Sequence, residues 1–305
     1  MPDPTGGSPG SPHTRSDILQ AADAEDVASG ALRGVGWTAI EQWGGQAVGL
    51  LTFLVLARLL APADFGLLAM AAVVIALLQT AVEQSFADAL VQRRDVTPGL
   101  LDTAFWSTLG AGLAAGLLVL VAAGPVALLY SEPALEPVVT VLAASLPLTS
   151  LGATHLALLR RRLDFAPIAK RGLIANLAGG TAAIGVALAG GGVWSLVAQS
   201  LVVAGVGSLV LWQAVDWRPE RRFHREQFGE LGRFGGSLVA ANMVNFANRY
   251  ADDLIIGLVL GPVALGFYTV AYRLLWAATR VLAGVASAVA FPAFSPSLDV
   301  LLNSQ

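Results

Sequence analysis

Several runs of twenty or more mostly apolar residues decide what this chain can become. As a helix rising about 1.5 Å per residue, each is long enough to cross the roughly 30 Å of hydrocarbon in a bilayer. Within hydrocarbon every backbone N–H and C=O must find a partner, and an α-helix supplies those partners internally. Composition agrees: 55% of the 305 residues are hydrophobic and only 13% are charged, where soluble domains carry roughly a quarter charged. The expected fold class is all-α, a polytopic transmembrane helical bundle.

The apolar runs predict about eight spans, at about 37–60, 65–90, 101–129, 134–159, 168–189, 193–214, 237–260 and 266–290. Residues 1–33 are rich in Pro, Gly, Ser and Asp at their start and read as a disordered cytoplasmic tail, neither a signal peptide nor a span. Residues 34–215 form a six-helix N-terminal lobe, 216–236 a basic cytoplasmic linker, and 237–305 a partial C-terminal lobe of two helices and a tail.

Alternate loops carry the basic residues. Arg93 and Arg94 follow the second span. Arg160, Arg161, Arg162, Lys170 and Arg171 lie around the loop after the fourth. Arg218, Arg221, Arg222, Arg225 and Arg233 follow the sixth. The loops at Pro62, Ser131–Pro137, Gly190–Gly192 and Gly261–Pro262 carry none. The positive-inside rule then places the N-terminus in the cytoplasm of a multi-pass protein. Anionic lipid contact is the simplest further role of the basic loops. Loops on the other face are too short to build an external glycan-processing site. With no cysteine, disulfides, thiol catalysis and cysteine-held metals are excluded. His13, His155 and His224 make no ligand spacing, and His155, near the basic loop, reads as interfacial. No phosphate-loop motif points to ATP. Neither an enzyme, a cofactor nor a nucleic-acid partner is expected.

A phrase also occurs twice. LARLLAPADFGLLAMA at Leu56–Ala71 realigns, at an offset of 200, with the stretch that opens at Ile256 and closes at Ala271. In that register Leu60 meets Leu260, Pro62 meets Pro262, Gly66 meets Gly266 and Ala71 meets Ala271. Upstream, Gly36 meets Gly236 and Gln42 meets Asn242. Copies separated by an even number of helices share an orientation, which makes a parallel repeat about an axis along the membrane normal. A six-helix lobe followed by the first two helices of a second, repeated lobe is expected. The Gly110–Gly116 stretch reads as a helix-packing surface.

Four arginines, Arg58, Arg249, Arg273 and Arg280, fall at membrane depth. A charge at a helix centre costs about 2.5–3.5 kcal/mol on insertion scales, so such residues face a bundle interior or a wet cavity. Asn242, Asn245, Arg249 and Asp252 are spaced by three, four and three, which makes one helical face, with Asp253 four residues from Arg249. Thr269, Arg273, Trp276 and Arg280 form a second stripe, and Thr38, Gln42 and Gln46 a third, with Glu41 beside them. Two accounts stay open. In one, Arg249 pairs with Asp252 or Asp253 and the polar faces only hold the bundle together. In the other, a hydrated cavity lies between lobes: Gln42, Gln46, Asn242, Asn245, Arg249, Arg273, Trp276 and Arg280 bind substrate, the arginines taking an anionic headgroup. Glu41, Asp252 and Asp253 would then couple to a proton or sodium gradient. Glu83 and Asp88, nearer the basic side, read as partners of Arg93 and Arg94.

These motifs together resemble the polysaccharide-transporter family, in its lipopolysaccharide and colanic-acid exporter (Wzx-like) branch, within the multidrug/oligosaccharidyl-lipid/polysaccharide superfamily. The resemblance runs from about Gly36 to Phe294. It is carried by LARLLAPADFGLLAM, by ALVQRRDVTPGLLDTAFW at Ala89–Trp106, and by LLRRRLDFAPIAKRGLIANLAGG at Leu158–Gly180. GGVWSLVAQSL at Gly191–Leu201 and WRPERRF at Trp217–Phe223 complete it. The resemblance implies an inner-membrane flippase that moves undecaprenyl-pyrophosphate-linked oligosaccharide by alternating access, for surface polysaccharide synthesis. Its partners would be the lipid-linked oligosaccharide, membrane lipids and polysaccharide polymerase or export machinery. Arg249, Asp252, Ile256 and Gly257 match the family's motif in this helix. Two departures accompany it: Leu258 stands where relatives commonly carry Arg, and relatives have twelve or more helices. The chain is accordingly expected to be C-terminally truncated, and an inactive or split fragment and a drug or cation antiporter of the same superfamily are the alternatives.

Overall fold

The computed structural model describes residues 44–92, 97–221, 223–224 and 244–279, with side chains omitted at 81–92 and 98. Expectations for the tail, for Glu41, Gln42, Asn242 and Arg280, and for the side chains of Glu83 and Asp88 lie outside the described residues.

Among the described residues eight helical segments follow one another: α1 (Gly44–Leu59), α2 (Pro62–Gln92), α3 (Pro98–Leu129), α4 (Leu135–Leu142), α5 (Ser145–Arg161), α6 (Phe165–Leu188), α7 (Val193–Ala214) and α8 (Val244–Thr279). No strand occurs among the described residues. Six stretches of the described residues are long and apolar enough to cross a membrane, with α4 and α5 together making one of them. The protein is therefore an all-helical, multi-pass membrane protein.

Prolines set two of the helix starts. α2 begins at Pro62 and α3 at Pro98. A proline in the first turn loses no hydrogen bond, and its φ is already helical. Thr97 caps α3 by accepting from the Leu100 N–H, so that helix starts three residues before the expected 101. The span expected at 134–159 is stepped, ending as α4 at Leu142 and resuming as α5 at Ser145. The Ser145 hydroxyl donates to the Leu142 carbonyl at 2.6 Å, a local bond of the kind that competes with the helical ladder.

The last two expected spans, 237–260 and 266–290, leave residues 261–265 between them, and the structure closes most of that gap. α8 is helical on both sides of Gly261, whose φ of +79° is left-handed. The Tyr268 hydroxyl donates to Asp252, 16 residues earlier. An unbroken helix would hold those residues about 24 Å apart. The chain therefore doubles back at Gly261, and the turn shrinks to little more than one glycine.

α6 packs along α7, α5 lies against α7, α3 and α2, and α4 is set among α2, α3 and α7. One core cluster joins Met70, Val119, Leu135, Val138 and Leu146 to Leu265 of α8. A second joins Phe53 and Leu56 of α1, and Leu60 just after it, to Phe65, Ala183 and Leu196. Away from these cores, Val121 and Leu128 of α3 are 71% and 81% exposed, the lipid-facing pattern of a span. Within the Gly110–Gly116 stretch, Gly112 abuts Ser150 and Gly116 faces the Ala143 carbonyl, whereas Gly110 meets nothing.

Candidate functional site

The turns without basic residues gather at one end. Gly192, at the start of α7, lies against Asp64 of α2, and Asp64 accepts from the Ala61 N–H at 3.0 Å. Tyr130, at the end of α3, lies against Gly257 of α8. At the same end the two copies of the repeated phrase touch each other. A methyl group on Gly66 would strike the Pro262 carbonyl, and one on Gly266 would strike the Pro62 carbonyl. In both cases the hypothetical methyl lies 2.6 Å from the carbonyl carbon. Residue 62 meets 266 and residue 66 meets 262, the exchange of partners that a two-fold axis produces. Only glycine allows backbones this close.

The expected site residues spread outward from this contact. Arg273 holds its guanidinium carbon 4.9 Å from the centre of the Phe53 ring, which ties the returning half of α8 to α1. Arg249 lies over the neighbouring Tyr250 ring at 6.0 Å. Gln46, Asn245 and Trp276 are exposed. No hydrogen bond among the described residues joins Gln46, Asn245, Arg249 and Arg273 to one another.

The ion pair offered by the spacing of Arg249 with Asp252 or Asp253 does not form among the described residues. Asp252 instead turns to the Tyr268 hydroxyl. Its other oxygen, Oδ1, is buried with no partner, and Asp253 is half-buried. The Arg249 side chain is exposed and lies over Tyr250. Sequence spacing missed Tyr130 and Tyr268, because neither lies on the polar stripes. Tyr268 reaches Asp252 only through the reversal at Gly261.

The opposite end carries a second unforeseen feature. The segment after α7 folds back over α3. The Glu220 N–H donates to Asp102 Oδ1 at 3.0 Å, and Trp106 Nε1 donates to the Glu220 carbonyl at 2.8 Å. The His224 N–H donates to Thr103 at 3.2 Å. His155, near the basic loop, is fully buried within the protein. It stacks on Trp212 at 4.8 Å, with Trp217 at 5.4 Å and Phe105 at 6.4 Å. The fold-back segment supplies Trp217, which helps to seal it.

Comparisons with known proteins agree with this architecture. The chain is 29% identical over 262 residues to the succinoglycan biosynthesis transport protein ExoT of Rhizobium meliloti, covering 86% of this chain and 53% of the relative. It is 27% identical over 274 residues to the lipopolysaccharide biosynthesis protein WzxC of Escherichia coli, covering 88% and 55%. The teichuronic acid biosynthesis protein TuaB of Bacillus subtilis matches at 27% over 221 residues, covering 71% and 45%. The chain thus spans about half the length of the curated relatives it matches. The fold is similar to that of a multidrug resistance MATE family transporter of the MOP superfamily, solved in an inward-facing conformation. That likeness has a TM-score of 0.53 at 17% identity and covers 79% of this chain and 60% of the other. Residues 55–299 match the family described as polysaccharide biosynthesis protein, and the chain belongs to that family.

Proposed function

We propose that the chain serves the export of lipid-linked oligosaccharide across the bacterial inner membrane, for surface polysaccharide synthesis, by alternating access of two lobes. The observation that carries this reading is the reciprocal contact of Pro62 and Gly66 with Gly266 and Pro262. It joins the two copies of the repeat at one end and leaves the polar residues of α1 and α8 beyond it. The relatives' names, which speak of succinoglycan transport and of lipopolysaccharide and teichuronic acid biosynthesis, support a glycan cargo.

In this reading Gln46, Asn245, Arg249, Arg273 and Trp276, with Gln42, Asn242 and Arg280, face the cargo. The arginines hold its pyrophosphate, because guanidinium stays charged and binds phosphate oxygens in pairs. Trp and the amides suit sugar rings and hydroxyls. Glu41, Asp252 and Asp253 couple movement to a proton or sodium gradient, with no cofactor. The basic loops face the cytoplasm and anionic lipid, the N-terminus lies on that side, and polymerase or export machinery receives the product.

The test is complementation of a flippase-null strain, with the gene extended to the length of its relatives and compared with the 305 residues alone. Restored surface polysaccharide is expected for the extended gene. No restoration, whatever the glycan of the host, overturns the reading. Small-cation transport without any effect on glycan would favour an antiporter instead.

A further inference from the structure

The stepped span consists of two pieces that are fastened to different parts of the molecule. α4 ends at Leu142 and α5 begins at Ser145, and Pro147 accounts for the break. Proline has no N–H to give to the Ala143 carbonyl four residues back, and its ring crowds that carbonyl. The helical ladder gives way accordingly. The Ala144 and Leu146 N–H groups donate only three residues back, to Val141 and Ala143, at 3.2 and 3.3 Å. The Ser145 hydroxyl donates to the Leu142 carbonyl, and the Leu148 N–H reaches Ala144 at a long 3.4 Å. Thr149 and Ser150 donate their hydroxyls to the Leu146 carbonyl at 3.0 and 2.8 Å, bonds of the kind that bend helices. All of these bonds are local to the step, so a change of angle between α4 and α5 breaks none to a neighbouring helix.

Beside the step α3 presents bare backbone. A methyl group on Gly116 would lie 3.2 Å from the Ala143 carbonyl oxygen and 3.5 Å from Pro147 Cδ. Gly112, one turn away, abuts Ser150. At these two positions α3 has no side chain to interlock with the span that passes it.

The two pieces are held differently. α5 is bolted to α7 by directional bonds: the Ser208 hydroxyl donates to the Leu148 carbonyl, and Trp212 Nε1 donates to the Leu151 carbonyl at 2.8 Å. Leu158 and Leu159, in its last turn, pack with Ile168, Leu211 and Val215. α4 instead gives Leu135, Val138 and Val139 to the apolar cluster that also holds Met70, Tyr130 and Leu265. Apolar packing is non-directional, and packed helices can slide on one another. Leu265 is the residue before Gly266, one of the two glycines at which the repeat copies meet.

We propose that Ala143–Pro147 is a pivot, on which α4 turns with the contact between the repeat copies while α5 stays bolted to α7. A half-helix of eight residues is about 12 Å long, so a turn of about 20° carries its far end about 4 Å. The first lobe then opens at the end where the copies meet without rearranging its opposite end. Such a pivot adds a moving part within the first lobe to the movement of one lobe against the other.

The sequence contains no cysteine, so distances can be read between introduced thiols alone. Ala134→Cys and Leu163→Cys, both exposed, carry spin labels before α4 and just past α5, across the pivot. Leu188→Cys paired with Leu163→Cys runs the length of α6, with no pivot between the labels. Pulsed electron paramagnetic resonance on the purified full chain in lipid nanodiscs reads both distances. Gly66→Ala drives a methyl group against the Pro262 carbonyl and so forces the copies apart. In that background the distance between positions 134 and 163 is expected to shift by about 4 Å, with that between 188 and 163 unchanged. Pro147→Ala restores the missing donor and with it a continuous ladder, and should suppress the shift. Equal shifts in the two pairs, no shift in either, or a shift undiminished by Pro147→Ala overturns the pivot. If Gly66→Ala broadens both distributions as an unfolding chain would, Gly266→Ala applies the same displacement from the other copy. Broadening of both pairs there too overturns the pivot, since α4 then moves only with its neighbours. The distances are read without any cargo, so a negative result leaves the export reading standing, and failed complementation leaves the pivot standing.

Discussion

Arg273 shows how cost and return compare at a single residue. Holding its charge at membrane depth costs about 2.5–3.5 kcal/mol on insertion scales. The Phe53 ring at 4.9 Å returns roughly 0.5–2 kcal/mol. The contact offsets only part of the cost, which leaves room for an anionic ligand to supply the rest. Arg249, exposed and lying over Tyr250, is in a similar position, with neither aspartate as its partner. In the extended gene, Arg249→Ala and Arg273→Ala are expected to abolish surface polysaccharide while immunoblots show unchanged protein. Normal export in both would return these charges to a structural role. The stripe holding Asn245, Arg249 and Asp252 was readable from spacing alone, because helical periodicity is local. The Tyr268 bond to Asp252 was not, because it depends on the chain reversing at one glycine between them.

Among the elements, the apolar runs announced nearly every helix, since span length and hydropathy are fixed by the bilayer. What they could not announce was the step at Ala143–Ala144 or the course of residues 215–224, both set by packing and by partners distant in sequence. The fold-back over α3 hangs on Asp102, which is 3% exposed and accepts the Glu220 N–H. Asp102→Ala leaves that donor without its acceptor, a loss of about 1–3 kcal/mol. The segment should then lift away, and trypsin should cut at Arg218 or Arg221 several-fold faster than in the parent. Asp102→Asn retains the acceptor oxygen and should be cut at close to the parental rate. Equal cutting of all three would mean that Trp106 and the Trp217 stack hold the segment without Asp102.

For the molecule as a whole, the exchange of partners between Pro62–Gly66 and Pro262–Gly266 makes a quantitative demand. If one two-fold contact joins the copies, a methyl group on either glycine meets the same obstacle, the opposite proline carbonyl. That obstacle is backbone and cannot rotate away. Gly66→Ala and Gly266→Ala should therefore destabilise the purified protein to similar extents, each by about 1–3 kcal/mol, the usual range for overpacking. Because either methyl alone already forces the copies apart, the second adds little, and the double variant should fall well short of the sum. Thermal unfolding in lipid nanodiscs compares the three variants with the parent. Additive losses would mean that the two glycines sit in independent packing environments, and unequal single losses that one copy yields more readily than the other. Equal and sub-additive losses require one shared contact, and with it a single place at which the two halves of the repeat are held together.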